Sequence, residues 1–187
     1  MKVAVLDHQM GNLRSVGKTL EAAGASVDVT DDLGVIDGAD ALCVPGQGIY
    51  GRCVDNLVQR GGDDLIRSWV QAERPLLGIC LGMQILFDCS EEGDHKGLGI
   101  IPGEVRRLRG DVTVPHIGWN DVDDTFYYFD HSFAAFPASD DVVTGWCTHG
   151  PRFAARVEAG SILGVQFHPE KSGSDGISLL EEWIGHR

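Results

Sequence analysis

One sequence feature of this 187-residue chain constrains its fold most: short apolar runs alternate with segments of helical periodicity. The segments of strand length and pattern are residues 2–7, 26–30, 39–44 and 76–79. The segments whose apolar side chains recur every three or four positions are residues 13–23, 65–70 and 81–87. Strands that alternate with helices predict a mostly parallel α/β sheet for this half of the chain.

The second half of the chain has a different pattern, in which short strand-like runs are separated by Gly, Pro and Asp. These runs are residues 104–108, 126–129, 142–146, 152–157 and 162–167. They predict antiparallel strands, and an amphipathic helix follows near the C-terminus. The acidic stretch at residues 90–97 is expected to be an exposed loop. We expect a single domain over residues 1–187, since neither an internal repeat nor a long linker divides the chain.

The composition argues against several classes of function. Acidic residues outnumber basic ones by 28 to 15, so the formal net charge is −13. Such a chain is not expected to bind nucleic acid, whose phosphates require neutralisation by Lys and Arg. The N-terminus does not resemble a signal peptide, and no apolar run approaches the ~20 residues of a membrane span. The five cysteines include no CxxC pair, so we expect reduced thiols, no metal site and a cytoplasmic protein.

The sequence around Cys80 predicts a nucleophile at a sharp turn. Gly78-Ile79-Cys80-Leu81-Gly82 lies between a predicted strand and a predicted helix, which is the layout of a nucleophile elbow with Cys in place of Ser. The glycines would let neighbouring backbone approach closely, and the helix dipole would favour the thiolate. A buried structural cysteine is the alternative interpretation, and this pentapeptide alone does not separate the two.

A second motif, His168-Pro169-Glu170, follows an apolar run. Side chains two positions apart on a strand share a face, so we expect Glu170 to hold the imidazole of His168 in one tautomer. With Cys80 these residues would form a Cys-His-Glu triad. We interpret His131 and His149 as binding or structural residues, because neither has an acid two positions further on.

These motifs resemble the two signatures of class I glutamine amidotransferases. The resemblance extends over nearly the whole chain, and residues 75–84 and 164–173 carry its most specific parts. Within the class, the chain resembles the glutaminase subunits of imidazole glycerol phosphate synthase through residues 10–15, 97–103 and 114–120. The resemblance implies a three-layer, flavodoxin-like fold: a mostly parallel sheet flanked by helices, with an antiparallel extension in the second half.

The resemblance also implies a function and its residues. It implies a glutaminase that needs no cofactor and passes ammonia from L-glutamine to a separate (βα)8 synthase subunit, which makes imidazole glycerol phosphate and AICAR for histidine biosynthesis. Cys80 would attack the side-chain amide of glutamine, and His168 would act as base and then as acid. The implied oxyanion residues are Gln47 and Leu81, and the implied glutamine-binding residues are Gly48, Gln84, Ser132 and Phe133.

The partner face implied by the same resemblance consists of Asn12, Arg14, Trp119, Asn120 and Lys171. Asn12 also suits the N-cap of a helix. We expect His116 and Trp119 in a loop flanked by Pro and Gly, where an exposed Trp either anchors its own loop or forms an interface hot spot.

Three features depart from the family pattern. Gln47 occupies a position that usually holds a small β-branched residue. Asp7-His8-Gln9 replaces Asp-Tyr-Gly, which alters a loop expected to face the partner. The segment between Asn120 and Phe126 is also shorter than the family pattern leads us to expect.

Alternative functions remain open at this point. A paralogous glutaminase subunit could feed ammonia to a different acceptor synthase. A catalytically silent binding module is disfavoured by the intact set of Cys80, His168 and Glu170. A peptidase-like cysteine hydrolase is disfavoured because His168 follows Cys80 at a long distance in the sequence.

Overall fold

The strands and helices follow the predicted order, with additional elements between them. The computed structural model describes residues 1–93 and 95–185. The strands in these ranges are β1 (Lys2–Leu6), β2 (Ser26–Thr30), β3 (Ala41–Gly46), β4 (Leu76–Cys80), β5 (Cys89–Ser90), β6 (His95–Lys96), β7 (Gly103–Arg107), β8 (His116–Val122), β9 (Thr125–His131), β10 (Phe133–Pro137), β11 (Val143–Thr148), β12 (Arg152–Ala159) and β13 (Ile162–Val165). The α-helices there are α1 (Leu13–Ala22), α2 (Leu33–Asp37), α3 (Tyr50–Gln59), α4 (Gly62–Gln71), α5 (Leu81–Gln84) and α6 (Gly173–Gly185). Short 3-10 helices span Asp140–Val142 and Pro169–Lys171.

A parallel block of strands, in the order β2-β1-β3-β4-β13, forms one half of the main sheet. β1, β3, β4 and β13 are almost wholly buried, as strands covered on both faces must be, whereas the edge strand β2 is partly exposed. Antiparallel strands β12, β10 and β7 extend this block beyond β13, and β11 pairs with β12. The α/β fold with an antiparallel extension is therefore confirmed.

The sheet separates two apolar clusters, which gives the fold three layers. Consecutive residues of β1 point to opposite faces, so Val5 belongs to one cluster and Leu6 to the other. The first cluster includes residues of α1 and α6, and the second includes residues of α3 and α4. No helix in the described ranges is both long and apolar enough to cross a bilayer.

A β-hairpin replaces the loop that was expected around His116 and Trp119. β8 and β9 pair with each other in a two-stranded antiparallel sheet, which places His116 opposite His131. Asp123 and Asp124 connect the strands, and both have positive φ, at 48° and 71°. Positive φ at both central residues is typical of two-residue hairpin turns, so this tight connection accounts for the short segment after Asn120.

Candidate active site

Cys80 lies at the sharp turn between β4 and α5. Its φ of 54° is strained for a residue other than Gly. A Cβ on Gly82 would lie 1.8 Å from the carbonyl oxygen of Val44, and one on Gly46 would lie 2.8 Å from the backbone nitrogen of Gly82. The elbow therefore requires its glycines, as expected. α5 ends at Gln84 rather than at residue 87, so the predicted contribution of a helix dipole is reduced to that of a single turn.

His168 and Glu170 meet through a tight turn, not through strand alternation. β13 ends at Val165, and the 3-10 helix Pro169–Lys171 brings His168 to Glu170. The Nδ1–H group of His168 donates to Oε1 of Glu170 at 2.8 Å, and both side chains are only 3% exposed. The expected contact is present, but the expected shared strand face was wrong, because the chain leaves the sheet before the motif begins.

Hydrogen bonds tie this turn to β9. The backbone N–H of His168 donates to the carbonyl of Tyr128 at 2.9 Å. The hydroxyl of Ser172 donates to the carbonyl of His168 at 2.7 Å and accepts from the N–H of Tyr128 at 3.0 Å. The turn that carries His168 is therefore fixed to the hairpin strand β9.

The surroundings of His168 favour its protonated form. Burial alone lowers the pKa of His168, but the neighbouring Cys80 and Glu170 outweigh burial and raise the pKa well above its ordinary value. The other ring nitrogen, Nε2, is buried and makes no hydrogen bond with any residue in the described ranges. An unpaired imidazole nitrogen near a thiol is suited to proton transfer between the two groups.

A cavity of about 410 Å³ opens at Cys80. Its volume is within the usual range for small-molecule sites. It is lined by the residues predicted for oxyanion stabilisation and glutamine binding, which are Gln47, Gly48, Leu81, Gln84, Ser132 and Phe133. The structure thus brings all of these residues together around Cys80, and their individual roles remain predictions.

Charged residues that the sequence analysis did not single out line the same cavity. They are Glu92, Arg107 and Asp130. Glu92 accepts a hydrogen bond from the backbone N–H of Tyr50 at 2.9 Å. It belongs to the stretch 90–97, whose acidic pattern is typical of an exposed loop, and Asp94 of that stretch lies outside the described residues. The contact of the Glu92 carboxylate with Tyr50 is nonlocal, so the local pattern could not indicate it.

Gln166 is a further residue of the site that sequence reasoning missed. It is wholly buried, and its Nε2 donates to Sγ of Cys80 at 3.5 Å. Nε2 of Gln84 donates to Oε1 of Gln166 at 2.9 Å and to the carbonyl of Phe133 at 2.8 Å. A lone polar residue inside the apolar run 162–167 was the available signal, because a buried amide needs hydrogen-bond partners.

His8 contacts the segment predicted to carry the oxyanion residues. Its Nε2–H group donates to the carbonyl of Pro45 at 2.5 Å, and Asn56 donates to the carbonyl of His8 at 3.2 Å. Burial lowers the pKa of His8 and favours the neutral ring. His8 is 1% exposed, so its side chain is part of the interior and not of a loop surface that faces a partner.

One part of the predicted partner face is an exposed aromatic surface on the hairpin. Trp119 is 57% exposed, and its ring packs edge-on against that of Tyr128 with centroids 6.2 Å apart. Nζ of Lys171 lies 5.3 Å from the ring centre of Tyr128 and 3.4 Å from a carboxylate oxygen of Asp130. Asn120 is half-buried beside this surface.

The other part of the predicted partner face lies at the start of α1. Asn12 caps the helix by accepting a hydrogen bond from the N–H of Ser15 at 3.4 Å. It also lines a cavity of about 10 Å³, roughly one water in size, together with His168 and Glu170. Arg14 is exposed on the same helix and forms no ion pair with a residue of the described ranges.

The other cysteines lie apart from the cavity. All five cysteines of the chain belong to the described ranges and are free. Burial raises the pKa of Cys53 and Cys147 to about 12, which keeps these thiols protonated. Within residues 1–93 and 95–185, no cluster of His, Cys, Asp and Glu has the makings of a metal site.

Comparison with known proteins identifies the family. The family model for glutamine amidotransferase class-I matches residues 4–184. The chain belongs to this family. It is therefore an enzyme of the glutamine amidotransferase type, as the signatures around Cys80 and His168 predicted.

Individual amidotransferase subunits are similar to this chain over nearly its full length. The imidazole glycerol phosphate synthase subunit HisH of Moorella thermoacetica is 43% identical over 195 residues, which cover 97% of this chain and 93% of that protein. The protein of the same name from Mycolicibacterium paratuberculosis is 45% identical over 199 residues, which cover 97% of this chain and 96% of that protein. The protein of that name from Aquifex aeolicus is 41% identical over 198 residues, which cover 98% of this chain and 96% of that protein.

Solved structures show the same fold at lower sequence identity. A crystal structure of a glutamine amidotransferase superposes with a TM-score of 0.79 at 22% identity, over 98% of both chains. A chain in the structure of PurLQS from Thermotoga maritima superposes with a TM-score of 0.69 at 20% identity, over 99% of this chain and 98% of that one. Both comparisons agree with the class I amidotransferase fold.

Proposed function

We propose that this chain is the glutaminase subunit of imidazole glycerol phosphate synthase. It hydrolyses L-glutamine to glutamate and ammonia, and it supplies the ammonia to a separate (βα)8 synthase subunit in histidine biosynthesis. The observation that carries the proposal is a strained Cys80 at the cavity, next to a buried His168 that is bonded to Glu170 at 2.8 Å. The HisH names of relatives at 41–45% identity support the choice of synthase.

The reaction proceeds through a covalent intermediate on Cys80. His168 takes the thiol proton before attack, because its surroundings favour the protonated ring, and the resulting thiolate of Cys80 attacks the side-chain amide carbon of glutamine. His168 then gives that proton to the leaving nitrogen, so that the C–N bond breaks, ammonia departs and a glutamyl thioester remains. Water, deprotonated by His168, cleaves the thioester to glutamate and restores the thiol. Glu170 orients the imidazole and stabilises its positive charge.

Backbone amides stabilise the tetrahedral intermediate. Leu81 follows the nucleophile and supplies one N–H group, as the residue after an elbow nucleophile does. The second comes from the segment at residues 45–48, in which Gln47 lines the cavity. An oxyanion donor of this kind contributes on the order of 100-fold or more to turnover.

The charged lining suits an amino acid that carries both an ammonium and a carboxylate group. We assign the α-ammonium to the carboxylates of Glu92 and Asp130 and the α-carboxylate to Arg107, since these opposite charges line one cavity. Gly48, Gln84, Ser132 and Phe133 contact the rest of the substrate. The hydrogen bond from the backbone N–H of Tyr50 holds the Glu92 carboxylate in place, which supports this assignment.

The synthase subunit docks on the hairpin and the start of α1. Ile117, Trp119 and Phe126 expose 59%, 57% and 56% of their surface, an unusual density of large apolar groups for one hairpin. Asn12, Arg14, Asn120 and Lys171 complete the face. Asn12 lines a water-sized cavity together with His168 and Glu170, which supports an exit for ammonia toward the partner on this side. The free thiols fit the cytoplasm.

Replacement of the nucleophile tests the proposal. Cys80→Ala should abolish glutamate release from glutamine in the complex but leave the synthase reaction intact when an ammonium salt is supplied. Cys89→Ala removes a free thiol outside the cavity and should leave both reactions unchanged. Glutamate release by Cys80→Ala would refute the nucleophile assignment. An active glutaminase that fails to support imidazole glycerol phosphate formation would point instead to a paralogue with another acceptor.

A further inference from the structure

A continuous row of hydrogen bonds leads from the hairpin surface to the cavity. Nδ2 of Asn120 lies 3.1 Å from Nε2 of His116. Nδ1 of His116 lies 2.9 Å from Nε2 of His131, and Nδ1 of His131 lies 2.8 Å from the carbonyl oxygen of Phe133. We call Asn120, His116, His131 and the carbonyl of Phe133 the histidine relay. None of its contacts has been used in the reaction described above.

The chemistry of these groups allows one direction of donation. A carbonyl oxygen can only accept, so Nδ1 of His131 carries the proton. Nε2 of a neutral His131 must then accept, which places the proton of His116 on Nδ1. Nε2 of His116 accepts in turn from the amide N–H of Asn120, whose Oδ1 is held by the backbone N–H of Asp121 at 2.8 Å. Every donor therefore points toward the cavity.

Burial keeps both histidines neutral, as this direction requires. It lowers the pKa of His131 to about 3 and that of His116 to about 4. The ring of His149 stacks on His116 with centroids 4.0 Å apart and adds to the decrease. Both rings can therefore act as one donor and one acceptor at neutral pH.

The relay ends on groups that surround the nucleophile. The carbonyl of Phe133 accepts from His131 and also from Nε2 of Gln84. The same Gln84 nitrogen donates to Gln166, which donates to Sγ of Cys80. Because both N–H groups of Gln84 are engaged, its Oε1 is the atom that can accept from an N–H group of the substrate.

We propose that His116 and His131 are positioning residues for glutamine hydrolysis, which hold the carbonyl of Phe133 and thereby the amide of Gln84 in the orientation that binds substrate. This inference rests on the proposed function, because it takes glutamine as the substrate. It further assigns Asn120 a role besides docking: its amide sets the proton positions of both imidazoles. A change at Asn120 that removes its N–H donor should therefore alter the orientation of the Gln84 amide at the cavity.

An isosteric substitution of Asn120, at the surface end of the histidine relay, tests the direction in which its hydrogen bonds are donated. Asn120→Asp keeps the shape of the side chain but cannot donate, so both imidazoles must shift their protons or lose a bond. We expect the KM for glutamine to rise about tenfold, the equivalent of one oriented hydrogen bond, with a smaller change in kcat. Thr148→Glu adds the same charge to an exposed residue whose carbonyl contacts Asn120, and it should leave KM unchanged.

A pair of variants at the buried end tests the positioning. The amide nitrogen of Asn can replace Nδ1 of His131, so His131→Asn retains the bond to Phe133, whereas His131→Phe removes it. We expect His131→Phe to raise KM about tenfold and His131→Asn to restore most of the wild-type value. A purely structural role predicts that the aromatic replacement is the better tolerated one.

Nuclear magnetic resonance tests the hydrogen bonds of the histidine relay independently of the proposed catalytic function. Long-range ¹H–¹⁵N spectra of the free chain should show the Nδ1–H tautomer for both His116 and His131, and Asn120→Asp should shift these signals. An Nε2–H tautomer in either ring overturns the relay. Unchanged KM in Asn120→Asp and His131→Phe, in an enzyme that hydrolyses glutamine alone and with the (βα)8 subunit, overturns the positioning role while the proposed function stands. Absence of glutamate release by wild type in both settings overturns both.

Discussion

The elbow at Cys80 and the hairpin β8–β9 are held in position by opposite means. The elbow depends on backbone packed against backbone, with hypothetical Cβ atoms on Gly82 and Gly46 at 1.8 and 2.8 Å from their neighbours. The hairpin instead depends on imidazole hydrogen bonds and ring contacts, and it leaves Trp119 exposed. Steric packing tolerates no added atom, whereas polar contacts respond to protonation and docking. The nucleophile is therefore expected to be rigid and the hairpin adjustable.

The largest effect is expected where the elbow has no room. Gly82→Ala places a methyl group 1.8 Å from the carbonyl oxygen of Val44, so the backbone of β3 or α5 must shift. We expect a loss of about 3 kcal/mol or more in the free energy of unfolding, measured by urea denaturation. Gly185→Ala, at a position with open space, serves as the control. Equal stability of the two variants would contradict the rigid elbow.

Truncation of the hairpin aromatic should affect binding but not folding. Trp119→Ala removes a side chain that is 57% exposed, so the stability of the free chain should hardly change. Its affinity for the synthase subunit should fall by about 2 kcal/mol, or roughly thirtyfold in Kd. Val58→Ala, which truncates a side chain 51% exposed on α3, is the matched control. Calorimetry that shows unchanged affinity for Trp119→Ala would place the docking face elsewhere.

Acid should destabilise the folded chain, because His116 must become protonated as the pH falls. The pKa of His116 is about 4 in the folded chain, below the ordinary 6.5, so the unfolded chain binds more protons between these values. The stabilising contribution is complete above pH 6.5 and is lost as the pH falls toward 4, by up to about 1.4 kcal/mol per pH unit. Unfolding free energies at several pH values should show a shallower decline for His116→Gln. Parallel curves for wild type and variant would argue against a neutral buried His116.

The smallest effect is expected at Gln47, between the two regions. We expect the segment 45–48 to exchange between a backbone conformation that directs an N–H group into the cavity and one that directs it away. An unbranched side chain restricts the backbone less than the β-branched residue usual in the family, so Gln47 should allow the first conformation more often. Gln47→Val is expected to lower the basal rate of glutamine hydrolysis several-fold and to increase the stimulation by the partner. Steady-state rates with and without saturating partner measure both quantities. Identical basal rates and identical stimulation would exclude this role.

Local motifs made the elbow predictable from sequence. Glycines around Cys80 indicate a strand-to-helix turn because only close backbone approach requires them. The pairing of His168 with Glu170 was predicted with the wrong geometry, since spacing by two residues fits both a strand and the 3-10 turn that is present. The end of α5 at Gln84 was missed because the apolar residues that follow continue the helical periodicity.

Nonlocal contacts explain what sequence reasoning did not predict. Glu92 and Arg107 reach the cavity from segments far apart in the chain, and one sequence alone carries no signal of such proximity. Gln166 stands out as a polar residue in an apolar run, but its partner, Sγ of Cys80, is 86 positions away and is not indicated by that pattern. The first strand of the hairpin was interpreted as a loop because Pro and Gly flank His116 and Trp119, whereas its second strand was predicted from the run 126–129. His116 contacts His131 because the hairpin register places them opposite each other. The histidine relay could therefore not be predicted before that register was known.

The hydroxyl of Ser172 links the base to the docking strand, because it bonds the carbonyl of His168 and the N–H of Tyr128 at once. Tyr128 contacts both Trp119 and Lys171 on the proposed docking face. A partner that favours one position of this strand must therefore favour one position of the imidazole. Thermodynamic linkage makes such coupling reciprocal: if docking tightens glutamine binding by some factor, bound glutamine retains the partner more tightly by the same factor.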